Sequence, residues 1–220
     1  MSALPPVVLT ELELDALTEL VNLGVSNAAV GLREMVQEEV LLSVPNVAIV
    51  TREMAIANLA QRNSSRLVAV HQNFEGDIRG RALLIFPVAQ SMELVRAVVG
   101  GDLSVEDLME LEQEALAETG NVLLNGCLGT IANSLERSLR ISLPEVVYGD
   151  GSQFFNLTQL PRDDDSVLFI YIDFAVRRKD IKGYLAMLLD LPSLVNLKKL
   201  LADFIDRMSG TTASPANADL

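Results

Sequence analysis

The sequence predicts an α/β fold of the α+β kind, internally duplicated, with an antiparallel sheet flanked by helices. Three observations predict it. Apolar residues recur at helical spacing over two long stretches, β-branched runs bounded by turn residues lie between and after them, and the order of elements begins again about 100 residues on. Two units of that size, each short for a core of its own, are expected to pack about a pseudo-two-fold axis and share one sheet.

The first helix is expected over residues 10–37, where Leu14, Leu17, Val21, Ala28 and Leu32 recur at spacings of three, four and seven. Thr10 reads as its N-cap and Glu13 as the capping-box partner. Two short strands, Val40 to Val44 and Val47 to Val50, follow on either side of Pro45-Asn46. A shorter helix at 52–61 comes next, then a hairpin of Leu67 to Val70 and Ile78 to Phe86, turning around Glu75-Gly76-Asp77. Pro87 opens a helix that Gly100-Gly101 ends near Val99. From residue 104 the order restarts: a helix at 106–139, strands near 141–148, 153–158, 167–174 and 180–189, and a helix from Pro192 to about Met208. Asp77-Ile78-Arg79-Gly80 in the first half answers Asp180-Ile181-Lys182-Gly183 in the second. Residues 1–208 are thus expected to form one domain of two repeats, about 10–100 and about 104–208, with 209–220 as a flexible tail of small and polar residues.

Composition excludes several classes of chemistry. With 30 acidic and 17 basic side chains the net charge is −13, so a nucleic-acid partner would be approached against a repulsive field, and no basic patch offsets it. One cysteine, Cys127, forbids an internal disulfide and points to a reducing, cytoplasmic compartment. One histidine, His71, leaves no His/Cys metal cluster and nothing else to activate a serine or cysteine nucleophile. Met1 to Pro6 has no basic leader, and no apolar run approaches the roughly 20 residues of a membrane span, so membrane insertion is not expected.

The tightest feature of the repeat is sparse. Asp15, Glu19, Asn22 and Pro45 stand at intervals of 4, 3 and 23, and Glu114, Glu118, Asn121 and Pro144 stand at the same intervals 99 residues later. A chance Glu-x-x-Asn-x22-Pro match in a chain this long is roughly a one-in-twenty event. At about 100° per residue, positions i, i+4 and i+7 fall within about one-sixth of a helix circumference, so each trio shares one stripe. Taken alone such a stripe is a solvated helix face; kept as Glu and Asn in both halves, it places a carboxylate that can meet a cation one turn from a carboxamide that can position a water.

On these residues the sequence resembles the CheC-type phosphatases of bacterial chemotaxis, the CheC/CheX/FliY family, whose signature is an acidic or serine residue, three residues, Glu, two residues, Asn, twenty-two residues, Pro. Asn22-Leu23-Gly24-Val25-Ser26-Asn27-Ala28-Ala29, Leu42-Ser43-Val44-Pro45 and Gly80-Arg81-Ala82-Leu83-Leu84-Ile85-Phe86 are similar to the family as well. Two signatures make the chain most like the CheC branch. The departures are Val21 where the family often has the Gly seen at Gly120, and Glu114 where Asp or Ser is usual. The resemblance implies that the two long helices are active-site helices of a hydrolase acting on the aspartyl phosphate of the response regulator CheY. Glu19 and Glu118 would dock on the receiver's lysine, Asn22 and Asn121 would orient the attacking water, Asp15 and Glu114 would assist docking, and Pro45 and Pro144 would be structural. It implies no cofactor or metal of the chain's own, Mg²⁺ being expected on the receiver. The alternative role in the family is an adaptor that holds a CheD-type receptor deamidase or phosphorylated receiver with little catalysis; a rotor component like FliM is a weaker reading, because the signature is doubled here.

Other features read as structural. His71 is an ordinary strand residue, Cys127 a buried thiol, Asp163-Asp164-Asp165 and Arg177-Arg178-Lys179 solvated turns, and Gly76 and Gly80 turn or strand glycines without the strand-loop-helix setting of a phosphate loop.

Overall fold

The computed structural model describes residues 7–37, 39–62, 66–100, 104–156, 166–176 and 179–210. In chain order these form α1 (Glu11–Val36), β1 (Val40–Thr51), α2 (Arg52–Arg62), β2 (Leu67–Gly76), β3 (Gly80–Pro87) and α3 (Val88–Val99). They continue as α4 (Val105–Ser134), β4 (Leu139–Ile141), β5 (Glu145–Gly149), α5 (Gly151–Asn156), β6 (Ser166–Val176), β7 (Lys179–Leu189) and α6 (Leu191–Met208). Residues Met1 to Pro6, Asp163-Asp164-Asp165, Arg177-Arg178 and 211–220 of the expected tail lie outside the described residues.

The seven strands make one antiparallel sheet in the order β1-β6-β7-β3-β2-β4, with β5 also on β2 beyond β4. If β1 is matched with β4 and β5, β2 with β6 and β3 with β7, the order reads the same from either end. Each half therefore lends its first strand to the far edge, beside the other half's hairpin.

The central strands are apolar on both faces, because helices cover both. Val68, Val70, Phe74, Ala82, Leu84, Leu168, Ile170, Ile172, Leu185 and Met187 face α1, α3, α4 and α6 and form the larger core. Their alternates Leu67, Ala69, Leu83, Ile85, Val167, Phe169, Tyr184 and Ala186 face α2 and α5 with Phe154 and Phe155. Helix starts follow the sequence: Thr10 and Glu13 form the capping box of α1, Ser104 caps α4, and Asp190 caps α6 by accepting from Ser193 N–H at 2.9 Å.

Several expectations are corrected. Of the strand expected at 153–158, residues 153–156 are helical, and 157–158 lie outside the described residues: Asp150 Oδ1 accepts the Gln153 N–H at 2.9 Å and starts the short α5, which buries Phe154 and Phe155 where a strand would expose one of them. Pro45-Asn46 does not divide two strands, since β1 runs on through a bulge between Ser43 and Asn46. In the second half the opposite holds, and the strand expected at 141–148 is two, β4 and β5, separated at 142–144. Helix α4 stops at Ser134, not near 139, because Glu136 takes the left-handed conformation and Arg137 N–H closes onto Ala132 O. Asp77-Ile78-Arg79-Gly80 and Asp180-Ile181-Lys182-Gly183 are not structural equivalents: Gly80 begins β3 opposite Leu189, whereas Gly183 lies inside β7 opposite Ile172. The β6–β7 strands run farther toward their turn, so the second tetrapeptide is absorbed into a strand.

Asp190 anchors α6 to the β2–β3 turn, accepting Arg79 Nε at 2.5 Å while capping the helix. Burial raises its carboxyl pKa, but the bonds from Ser193 and Arg79 outweigh burial and hold it below the usual aspartate value. Because the folded pKa is lowered, its contribution is present above the unfolded value of about 3.9 and is lost as pH falls through the folded one. Asp190→Ala is expected to lower unfolding stability at pH 7 by about 2 kcal/mol. Urea titrations of both proteins check this, and the difference between them is expected to shrink below pH ~4.

Candidate functional site

Helices α1 and α4 lie side by side on the larger core and run antiparallel, and their contact is close because it is made of small residues. A Cβ on Gly24 would stand 3.0 Å from Cys127 O, one on Gly126 3.0 Å from Ala28 Cα, and one on Gly31 2.9 Å from Val122 Cγ1. Asn27 Nδ2 donates to Thr130 Oγ1 at 3.0 Å across the same seam. The midpoint of the crossing is thus near residues 27 and 126. At 1.5 Å per residue, Asn22 and Asn121 are about 15 Å apart along the pair, one on either side of that midpoint. The C-terminal parts of the two helices pack against each other, and the N-terminal part of each, which carries the acidic residues, extends past the end of the other.

Each trio shares a stripe, and burial grades along it. Asp15, Glu19, Glu114 and Glu118 are exposed, while Asn22 and Asn121 are half-buried at the margin between helix and sheet. Among the described residues none of the four carboxylates has an ion-pair partner. Helix α4 carries Glu106, Asp107, Glu110, Glu112, Glu114 and Glu118 and no basic residue, so this surface favours a cationic partner. Glu13 differs: it is buried, receives Thr10 N–H at 2.7 Å and lies 3.5 Å from Lys198 Nζ. Burial would raise its pKa, yet those contacts hold it below the ordinary glutamate value. It is a capping residue and not part of the stripe.

Both prolines sit at irregularities of the sheet edges. Pro45 lies in the β1 bulge, and Pro144 ends the Ser142-Leu143-Pro144 break between β4 and β5. A residue without an N–H is accommodated where the ladder is already interrupted.

The second trio is tied to the sheet by residues the sequence reading did not single out. Gln72, fully buried, is the polar member of the helix-facing stripe Val68, Val70, Gln72, Phe74. Its Nε2 donates to Ser142 O at 2.8 Å and to Asn121 Oδ1 at 3.3 Å, and Asn125 Nδ2 donates to the same Asn121 oxygen at 2.8 Å. A glutamine in the buried phase of an apolar strand, and an asparagine four residues after Asn121, were the available signals. The helix comes this near because residue 120 is glycine, where a Cβ would stand 2.3 Å from Val70 Cγ1.

His71 lies in the opposite phase of β2 from Gln72 and faces away from the α1/α4 pair. Its Nε2 is 3.7 Å from Glu145 Oε2. Burial, with the nearby Arg81 charge, pushes its pKa below the ordinary value against the pull of Glu145. Burial pushes the Cys127 thiol up to about 12, so it is unreactive at the helix seam. Among the described residues no group of three His, Cys, Asp or Glu side chains could hold a metal, and no helix is long and apolar enough to cross a membrane.

No family model matches the chain. It is 26% identical over 139 residues to the CheY-P phosphatase CheC of Bacillus subtilis (strain 168), which covers 62% of this chain and 66% of that protein. It is 22% identical over 158 residues to the flagellar motor switch phosphatase FliY of the same organism, which covers 71% of this chain and 41% of that one. The matches span less than two thirds of the length of either relative. Among solved structures, FliY from Thermotoga maritima superposes with a TM-score of 0.68 at 19% identity, covering 91% of this chain and 99% of that chain. That likeness shows the α+β fold.

Two predictions follow from the packing at the site. Gly120→Ala is expected to destabilise the fold by about 1–3 kcal/mol despite the better helix propensity of alanine, and Val70→Ala is expected to recover part of that loss in the double variant. Denaturant midpoints of the four proteins measure the coupling. For His71, a lowered folded pKa means that stability is intact above the unfolded value of about 6.5 and declines as pH falls below it, because the unfolded chain takes up a proton that the folded one refuses. His71→Gln is expected to flatten the melting temperature between pH 7 and pH 5 relative to the parent.

Proposed function

From its relation to the CheC-type chemotaxis phosphatases, we propose that this chain accelerates hydrolysis of the aspartyl phosphate of a CheY-type receiver, acting in trans and in the cytoplasm where such receivers reside. The observation that carries the proposal is an exposed Glu, without an ion-pair partner among the described residues, one turn before a half-buried Asn on each of two antiparallel helices.

Glu19 and Glu118 dock on a lysine of the receiver, and the acidic flank of α4 steers the encounter. Asp15 and Glu114 lie a further turn toward the N-terminus and widen the acidic contact. Asn22 and Asn121 reach the phosphoryl group: a carboxamide donates from its NH₂ to a phosphoryl oxygen and accepts a proton of the attacking water at its carbonyl. Such assistance works by orientation and avoided reorganisation, not by covalent chemistry, so it asks for no nucleophile, histidine or cofactor in this chain. Mg²⁺ belongs to the receiver. The seam of Gly24, Gly31 and Gly126 fixes where the two stripes stand, and Pro45 and Pro144 hold the neighbouring edges in their irregular course.

The test is phosphate release from an acyl-phosphorylated CheY-type receiver with Mg²⁺ and a substoichiometric amount of this protein. Release with turnover is expected, falling by about 100-fold in Asn22→Ala/Asn121→Ala while receiver binding persists. Glu19→Ala/Glu118→Ala is expected to raise KM as well as lower kcat. Release no faster than from the receiver alone would overturn the phosphatase reading and leave at most a docking protein.

A further inference from the structure

The two stripes match in sequence, but their surroundings differ. Resting on the phosphatase reading, we propose that the two sites are unequal, that Asn22 carries most of the turnover, and that Gln72 and Asn125 are positioning residues that hold Asn121 out of the water-orienting state.

The assignment starts from a group that cannot be reversed. Ser142 O is a backbone carbonyl and only accepts, so the Gln72 side-chain nitrogen must face it. The same nitrogen has a second proton, which goes to Asn121 and fixes the oxygen of that carboxamide toward Gln72. Asn125, whose nitrogen lies 2.8 Å from that oxygen, must then donate as well. A carbonyl oxygen has two lone pairs, and both of those on Asn121 are engaged. What remains is its NH₂, which can bind a phosphoryl oxygen but cannot accept a proton from the attacking water.

Asn22 is not held in this way. Its side chain makes no hydrogen bond among the described residues, so its carboxamide oxygen is available. The sheet register explains the difference. Asn46 pairs with Tyr171 as Glu145, 99 positions later, pairs with His71, so the position matching Gln72 on the other strand is Ile172, which is buried and apolar. The residue matching Asn125 is Ser26, which is exposed, and the residue matching Gly120 is the fully buried Val21. All three differences act in one direction. Gly120 brings α4 close enough for the sheet to reach Asn121, whereas in α1 a side chain occupies that place and no amide waits on the strand.

The arrangement is held at a cost, since Gln72 Oε1 and Asn125 Oδ1 are buried without partners. Removing one donor should release the Asn121 carbonyl; Asn125→Ser does so while leaving the Gln72 bond to Ser142 O in place, whereas Gln72→Met gives that bond up as well.

The experiment measures kcat and KM for release from the phosphorylated receiver. Asn22→Ala is expected to lower kcat about tenfold or more with KM little changed, and Asn121→Ala to lower it less than about twofold. In the Asn22→Ala background, Gln72→Met or, should that variant not fold, Asn125→Ser is expected to raise kcat at least about threefold. A merely structural Gln72 would leave kcat unchanged or lower it. Asn121→Ala costing as much as Asn22→Ala, or no gain from either releasing variant, would overturn the asymmetry while the phosphatase reading stands. No acceleration by the parent protein would overturn both.

Discussion

The close approach of α1 and α4 governs the rest of the molecule. Where Gly24 meets the Cys127 backbone and Gly126 meets Ala28, any larger residue would push the helices apart. Because the helices cross antiparallel in their C-terminal halves, their N-terminal parts project to opposite sides, each with its acidic stripe outward and its asparagine at the sheet margin. The same crossing seats Leu17, Leu20, Val25, Leu123, Leu124 and Leu128 on the helix-facing residues of the central strands. Burying two helices against the apolar face of the sheet is worth far more than either carboxylate stripe costs in mutual repulsion at the surface.

The sheet meets this demand by its strand order. Each half contributes its hairpin to the centre and its first strand to the opposite edge, so neither half can close its sheet alone. The signature prolines lie on those exchanged edges. An interrupted ladder frees backbone groups to bond elsewhere: Ser142 lends its carbonyl to Gln72 and its N–H to Asn73 O at 2.9 Å. The edge irregularity and the asparagine site are thus joined through a side chain on the next strand, which gives the twenty-two-residue spacing a physical meaning in the second half.

Much of this was legible in the sequence where one period dominated. The long helices, the capping box at Thr10 and Glu13 and the central hairpins are local patterns, and local physics decides them. The Phe154-Phe155 segment was misread because two adjacent aromatics suit a buried strand as well as one turn of helix, and only the Asp150 cap and the far-face cluster choose between them. The break at 142–144 and the bulge at Pro45 depend on strands more than 60 residues away in one case and more than 120 in the other, which no local pattern contains. Likewise the stripe of Glu and Asn could be placed on a helix face, but its tie to Gln72 could not. The tetrapeptide repeat at Asp77 and Asp180 shows the converse danger, since nearly the same letters settled into a turn and a strand.

A site made of so few groups on so acidic a surface constrains its chemistry. With a net charge of −13 and no basic residue on α4, the surface around the two asparagines disfavours a free phosphate or nucleotide. On the phosphatase reading, a substrate that brings its own cations to the phosphoryl group suits this surface. The acidic flank is then an advantage, because the partner's positive charge must come with the phosphate. The half-burial of Asn22 and Asn121 adds a geometric condition to that reading: the partner would present the phosphoryl group to a shallow margin between helix and sheet. On the phosphatase reading, charge and shape together favour a folded protein carrying a metal-bound phosphoryl group over a small phosphate ester.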